Sequence, residues 1–213
     1  QFLREGGREV LMSDRLYSSR VSTHRGHILR RVHIGRTARV IVCALMMFAT
    51  VGVRGIEPTD YQIKAALMCN IAKFTTWPDE AFESEDSPLV FGIVGDDPFG
   101  GEIETIVKDQ RPHGRRVIVR RYHSVVPAAS ESHVVFISSS EADSAVTTLN
   151  TIRNKPILTF GDDPRLWAHG LHINFVVVKQ KVRFDINRGA ASKTGIRFSS
   201  QLLRLAREVI EEP

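Results

Sequence analysis

Residues 133–164 read HVVFISSSEADSAVTTLNTIRNKPILTFGDDP, and this stretch decides the fold. His133–Ile137 is a continuously apolar run, as expected of a strand buried on both faces. A helical stretch follows over Glu141–Ile152, and a second short apolar run covers Ile157–Phe160. Gly161-Asp162-Asp163-Pro164 then turns the chain into a short helix containing Trp167. Strand, helix, strand and helix in succession predict an α/β domain with a largely parallel sheet.

The same pattern extends upstream. Leu89–Val94 reads as a strand, and Gly95-Asp96-Asp97-Pro98 leads into a helix that runs to about Asp109. Arg116–Tyr122 is a second strand after the turn at Gly114. Downstream the pattern changes. Leu171–Val178 and Lys181–Ile186 predict an antiparallel hairpin across Lys179-Gln180. Val182, Phe184 and Ile186 alternate with Lys181, Arg183 and Asp185, so one face is buried and one is wet. A final helix is expected from a Ser199/Ser200 cap to about Glu211, with Leu202, Leu205, Ala206 and Val209 inward. The expectation is one three-layer α/β domain over residues 56–213, with the hairpin at the sheet edge and the last helix packed on it.

An amphipathic helix is predicted over residues 60–76, with Ile63, Leu67, Ile71 and Phe74 on one face and Gln62, Cys69 and Lys73 on the other. Asn70 falls inside the apolar face and reads either as a buried amide tied to a neighbouring backbone or as a polar spot that contacts a partner. Trp77-Pro78 ends the helix, because the residue before proline avoids the α region.

Residues 1–55 differ in composition. They hold ten arginines, no lysine and three acidic residues, whereas residues 56–213 carry a net charge of −2. The overall +5 therefore belongs to the leader, and the folded part shows no basic stripe of the kind nucleic acid requires. Arg30, Arg31, Arg36 and Arg39 precede an apolar run from Val40 to Val53, followed by Arg54-Gly55. A basic region, an apolar core and a small exit residue form an export signal. At ~1.5 Å per residue the run covers about 21 Å, short of the roughly 30 Å hydrocarbon core. Cleavage is the first reading and an uncleaved anchor the alternative. Removal of the leader would take Cys43 with it and leave Cys69 as the only thiol, so no disulfide could form within the mature chain.

Chemistry-bearing motifs are sparse. Gly-Asp-Asp-Pro occurs at 95–98 and at 161–164, each time between a strand and a helix. Paired carboxylates there could hold a cation or line a crevice, but glycine to turn, Asp to cap and proline at the first helical position is the simpler reading. A receiver domain is rejected, since Ser138-Ser139-Ser140 stands where its phosphoacceptor would be. His169 and His172 read as surface histidines and not as a metal pair. Nucleophile elbow, phosphate loop and dinucleotide fingerprint are all missing from the sequence, so neither a catalytic residue, a metal site nor a cofactor is assigned.

Three ordered stretches carry a resemblance. The first runs from Tyr61-Gln62-Ile63-Lys64 through Asn70-Ile71-Ala72-Lys73-Phe74 to Trp77-Pro78. The second is Phe91-Gly92-Ile93-Val94 with Gly95-Asp96-Asp97-Pro98-Phe99-Gly100. The third extends from Ile173-Asn174-Phe175 through Lys181–Asn187 to Ser199-Ser200-Gln201-Leu202. Together, over about residues 60–207, they resemble the YfiR family of exported bacterial regulators. The resemblance implies a periplasmic repressor that binds the periplasmic sensor domain of an inner-membrane diguanylate cyclase. It also implies release by an outer-membrane lipoprotein or a redox signal, and a homodimer. This chain departs from the family in its cysteines. Ser132 stands where a Cys often precedes the His-Val-Val-Phe-Ile strand, so redox control would have to act through Cys69 between molecules. Cys69 itself reads either as a buried inert thiol or as an exposed one.

Partner contacts are expected at Trp77, Phe99, Asn174, Lys181, Arg183 and Asn187, which combine aromatic, amide or cationic chemistry with expected exposure. Trp77 plugging the core and Asn187 capping the following turn are the competing readings. A periplasmic small-molecule-binding module is the alternative function, suggested by loops at strand ends.

Overall fold

The computed structural model describes residues 58–211; the export signal read at 40–53 lies outside them. Helix α1 (Asp60–Lys73) opens on a reciprocal cap. Thr59 Oγ1 accepts the Gln62 amide at 3.2 Å, and Gln62 Oε1 accepts the Thr59 amide at 2.8 Å. The helix ends at Phe74, just before Trp77-Pro78.

Seven strands form the main sheet. They are β2 (Leu89–Val94), β3 (Val117–Tyr122), β4 (Val134–Ile137), β5 (Leu158–Gly161), β6 (Ile173–Val178), β7 (Lys181–Asn187) and β9 (Glu208–Ile210). Their spatial order is β3-β2-β4-β5-β6-β7-β9. The first five are parallel, β7 is antiparallel to β6, and β9 is parallel to β7. Two short strands, β1 (Thr75–Thr76) and β8 (Arg197–Phe198), pair separately. The mixed α/β class with a mostly parallel sheet is the one expected.

The three layers follow from the side-chain alternation. On one face, Phe91, Phe136, Phe160, Phe175 and Phe184 pack under α1 and α2 (Glu102–Val107). On the other, Val94, Val135 and Ile137 meet α3 (Val125–Glu131), α4 (Ala142–Ile152) and α5 (Pro164–Ala168). Because β2, β4 and β5 are covered on both sides, all their residues are buried, which is why β2 and β4 read as unbroken apolar runs and β5 carries one polar residue, the hydrogen-bonded Thr159. The β6–β7 hairpin turns at Lys179-Gln180, whose φ values of 50° and 59° are the positive ones that a two-residue hairpin turn uses.

Two local expectations are corrected. The face of α1 against the sheet holds Lys64, Ala65, Met68, Cys69, Ile71 and Ala72, while Ile63 and Leu67 are only half-buried and Asn70 is exposed. Apolar residues stand around most of this helix, so periodicity alone does not choose its face. The sheet takes the small and flexible side chains, which fit closely over its phenylalanines.

The second correction is at the C-terminus. After α6 (Arg188–Lys193), helix α7 (Ser200–Leu205) stops at Leu205, and Glu208–Ile210 joins the sheet as β9 beside β7. Leu205 is 62% exposed and Val209 36%, so neither points inward as expected. The cause is Asp185, fully buried on β7. Arg207 grips it with two bonds, Nε to Oδ1 at 2.7 Å and Nη2 to Oδ2 at 2.5 Å. The Arg207 amide also donates to the Phe184 carbonyl at 2.9 Å. A buried carboxylate needs a partner, and supplying it holds the chain extended past Ala206.

Candidate partner-binding surface

In parallel α/β sheets a ligand crevice opens where the strand order reverses, here between the C-terminal ends of β2 and β4. In this chain the crevice is filled. Gly95, with φ 84°, sits so close to the turn Ser139–Glu141 that an added Cβ would lie 2.5 Å from both Ser140 Oγ and Glu141 Cγ. The Asp96 amide donates to Ser140 Oγ at 2.9 Å and locks the two loops together.

The repeated acidic pairs serve the same architecture. Asp97 accepts the Phe99 amide at 2.8 Å and Arg121 Nε at 2.7 Å. Asp163 caps α5 through the Arg165 amide at 2.9 Å, and its bonds to Arg165 hold its carboxyl below the usual range. Asp162 takes Lys64 Nζ at 2.6 Å and the Tyr61 hydroxyl at 3.0 Å. Among the described residues no three potential metal ligands converge.

His172 is not on the surface. It lies buried, its Nδ1 accepting the Thr159 amide at 3.4 Å while its own amide donates to Thr159 Oγ1 at 3.0 Å. Burial disfavours the imidazolium and lowers its pKa to about 4. His169, by contrast, is exposed and bonds the Arg165 carbonyl.

Four of the six residues expected to be exposed are buried. Trp77 donates from Nε1 to the His133 carbonyl at 3.4 Å and meets Phe82 and His113 edge-on. Phe99 wedges between Tyr61 and Phe136, with centroids 5.5 and 4.8 Å away. Asn187 Oδ1 accepts the Ala190 amide at 2.8 Å and caps α6. Asn174 reaches Asp185 with Nδ2 at 3.5 Å and has no bond to Oδ1. For Trp77 and Asn187 these are the competing structural readings. Cys69 is also buried, and burial pushes its thiol up to about 11. A thiol-reactive dye should therefore label the native protein at least tenfold more slowly than the urea-unfolded chain, which absorbance at pH 8 would measure.

Lys181 and Arg183 remain on the surface, on the wet face of β7. Val178, 39% exposed at the end of β6, pairs with Lys181 across that face, whereas Val177, 52% exposed, pairs with Val182 and lies on the opposite face of the hairpin. The sequence reading missed a second exposed feature. A groove of about 610 Å³ lies between α1 and α2, lined mainly by Ile63, Ala66, Leu67, Asn70 and Ile106. Its signal was the excess of apolar positions on α1 over what one face can bury.

A model of the YfiR/HmsC-like family matches residues 61–207, from the start of α1 to the arginine that grips Asp185. The chain belongs to the YfiR/HmsC-like family. This family is regulatory and not catalytic, and it points to periplasmic control of diguanylate cyclase signalling. No curated protein sequence matches this YfiR/HmsC-like chain. Among solved structures it is similar to the ABC domain in complex with L-Trp from Streptococcus pneumonia, with a TM-score of 0.49 and 12% identity over 68% of this chain and 60% of that one. A conserved domain protein from Vibrio cholerae O1 biovar El Tor gives a TM-score of 0.47 and 12% identity over 71% of this chain and 60% of that one. The chain thus covers less than two thirds of either structure's length. No helix among the described residues of this YfiR/HmsC-like domain is long and apolar enough to cross a membrane.

Proposed function

We propose that residues 1–55 direct this chain to the periplasm, where residues 56–213 bind the periplasmic sensor domain of an inner-membrane diguanylate cyclase and hold it inactive. The observation that carries this reading is the YfiR/HmsC-like match, which runs through nearly the whole described domain. Recognition through the exposed hairpin is consistent with it. Lys181 and Arg183 supply charge, and Val178 beside Lys181 supplies apolar area that loses water on contact. Asn174 and Asn187 contribute from within β6 and β7, the strands of this hairpin, whereas Trp77 and Phe99 are core residues packed against other elements. A homodimer, and an outer-membrane lipoprotein that sequesters the regulator, belong to the same proposal. Redox release through Cys69 is disfavoured by its burial and raised pKa. The filled crevice between β2 and β4 argues against a small-molecule module using the usual site of this fold.

Deletion should raise cellular cyclic diguanylate, and the purified domain should bind the cyclase's periplasmic segment in calorimetry. Lys181→Glu with Arg183→Glu should weaken that binding about tenfold, a loss of ~1.4 kcal/mol, without changing the thermal midpoint. Unchanged nucleotide levels together with no binding to any such segment would refute the proposal.

A further inference from the structure

The outer edge of the sheet at β3 is open. Among the described residues no strand pairs with it beyond β2. The Arg116 carbonyl accepts the Leu89 amide and the Tyr122 carbonyl accepts the Gly95 amide, so the even-numbered residues of β3 turn their backbone groups toward β2. By the two-residue period of a strand, Val117, Val119 and Arg121 turn their N–H and C=O groups away from the sheet. Such a row of unpaired backbone groups is a template for another strand unless charge or shape prevents it.

The surroundings of this edge are strongly basic. Arg115 and Arg116 precede the apolar centre Val117-Ile118-Val119, and Arg120 and Arg121 follow it. A groove of about 440 Å³ runs along the edge on the α2 side, floored by Val117 and Val119 and bordered by Lys108, Arg111 and Arg116, with Glu104, whose carboxylate is taken by Arg121, as its one acidic lining residue. Arg120 is bridged to Glu131, and Arg121 to Asp97 and Glu104. No described acidic side chain bridges Lys108, Arg111 or Arg116, and among the described residues the Arg111 guanidinium donates to the Lys108 and Gln110 carbonyls. On the α3 side the edge is apolar at Ile118 and electrically balanced by the Arg120–Glu131 pair.

We infer that β3 is a docking edge for an extended acidic segment of a partner protein, which adds to the sheet as an eighth strand. Backbone hydrogen bonds from Val117, Val119 and Arg121 would hold the segment. Lys108, Arg111 and Arg116 would select carboxylates on every second residue, those facing α2, while the residues between them lie against Ile118. A second copy of this chain is a poor occupant. Pairing about Val119 sets Arg120 opposite Ile118 and Arg121 opposite Val117 and offers no carboxylate to any of these arginines, and antiparallel pairing about Ile118 sets Arg116 opposite Arg120 and Arg115 opposite Arg121. Like charges so placed are destabilising. The arginines therefore oppose self-pairing in the register about Ile118, gain nothing from it in the register about Val119, and favour an acidic strand in either. This inference needs nothing from the cyclase proposal, so either can fail without the other.

The test uses a fluorescent peptide of alternating Glu and Val and the intact domain. Binding in anisotropy should weaken at least tenfold as salt rises from low to physiological strength, and a matching Lys–Val peptide should not bind. The peptide should slow hydrogen exchange at the Val117, Val119 and Arg121 amides. Val119→Pro removes only an outward-facing N–H and leaves the β2 ladder intact, so it should abolish binding while the circular dichroism spectrum stays unchanged. Arg111→Glu with Arg116→Glu should abolish it too, and this pair decides the matter if the proline variant does not fold. No peptide binding, equal binding of the Lys–Val peptide, or binding indifferent to both variants would overturn the inference. Self-association that Val119→Pro abolishes would overturn it as well, by making a second copy the occupant.

Discussion

Replacing Arg207 with Ala is expected to destabilise the domain by about 3 kcal/mol, measured as a lower urea midpoint at an unchanged slope. Asp185 has no exposure, and both of its oxygens are held by Arg207. Among the described residues its only other side-chain partner is Asn174 Nδ2 at 3.5 Å, a weak bond. Without the guanidinium a carboxylate is left in the sheet uncompensated, and removing one member of a buried pair costs roughly 3–5 kcal/mol. The Arg207 side chain is 44% exposed, which places the expectation at the low end. The same change should free β9, so the Val209 amide, paired beside Ile186, should exchange faster than those of β4. Asp185→Leu combined with Arg207→Met removes both charges and should recover most of the loss. A single variant within 0.5 kcal/mol of the parent would show that water, not Arg207, satisfies Asp185.

Lys64→Ala should have a comparable effect, again about 3 kcal/mol. Lys64 is only 5% exposed, its Nζ stands 2.6 Å from Asp162 Oδ2, and it lies 4.1 Å above the Tyr61 ring. The pair ties α1 to the turn after β5. Truncation leaves Asp162 with the Tyr61 hydroxyl as its remaining side-chain partner. Lys64→Met with Asp162→Asn should be close to the parent, since no charge is then stranded. Tyr61 provides an independent readout. Burial first, and then the neighbouring Asp162 carboxylate, push its hydroxyl up to about 12. Asp162→Asn should therefore shift its ultraviolet titration toward the ordinary value near 10, though only in part, because burial remains. A titration unchanged in that variant would mean that Asp162 does not face the phenol.

Much of the architecture was legible because it depends on local rules. Val134–Ile137 is an unbroken apolar run, and Leu158–Phe160 is interrupted only by the hydrogen-bonded Thr159, since both faces of those strands are covered. The alternation from Lys181 to Ile186 announced a half-wet strand, and Gly-Asp-Asp-Pro announced two turns. The expected surface was less legible. An aromatic before proline looks the same in sequence whether it meets a partner or, like Trp77, closes onto Phe82 and His113. Asn187 caps α6 because the chain turns directly after β7, and nothing in residue type distinguishes that from an exposed amide.

From the sequence alone came the α/β class, the hairpin and the YfiR-type resemblance, all of which rest on periodicity, turn chemistry and ordered motifs within short stretches. Tertiary structure alone decided which side of α1 is buried, why the chain leaves its last helix for β9, and that β3 ends the sheet with an open, basic edge. The first two outcomes hinge on groups far apart in the chain, Lys64 with Asp162 across 98 residues and Asp185 with Arg207 across 22, and the third on the strand order of the described sheet. A buried charge is tolerable only beside its partner, and that adjacency exists only once the layers have packed.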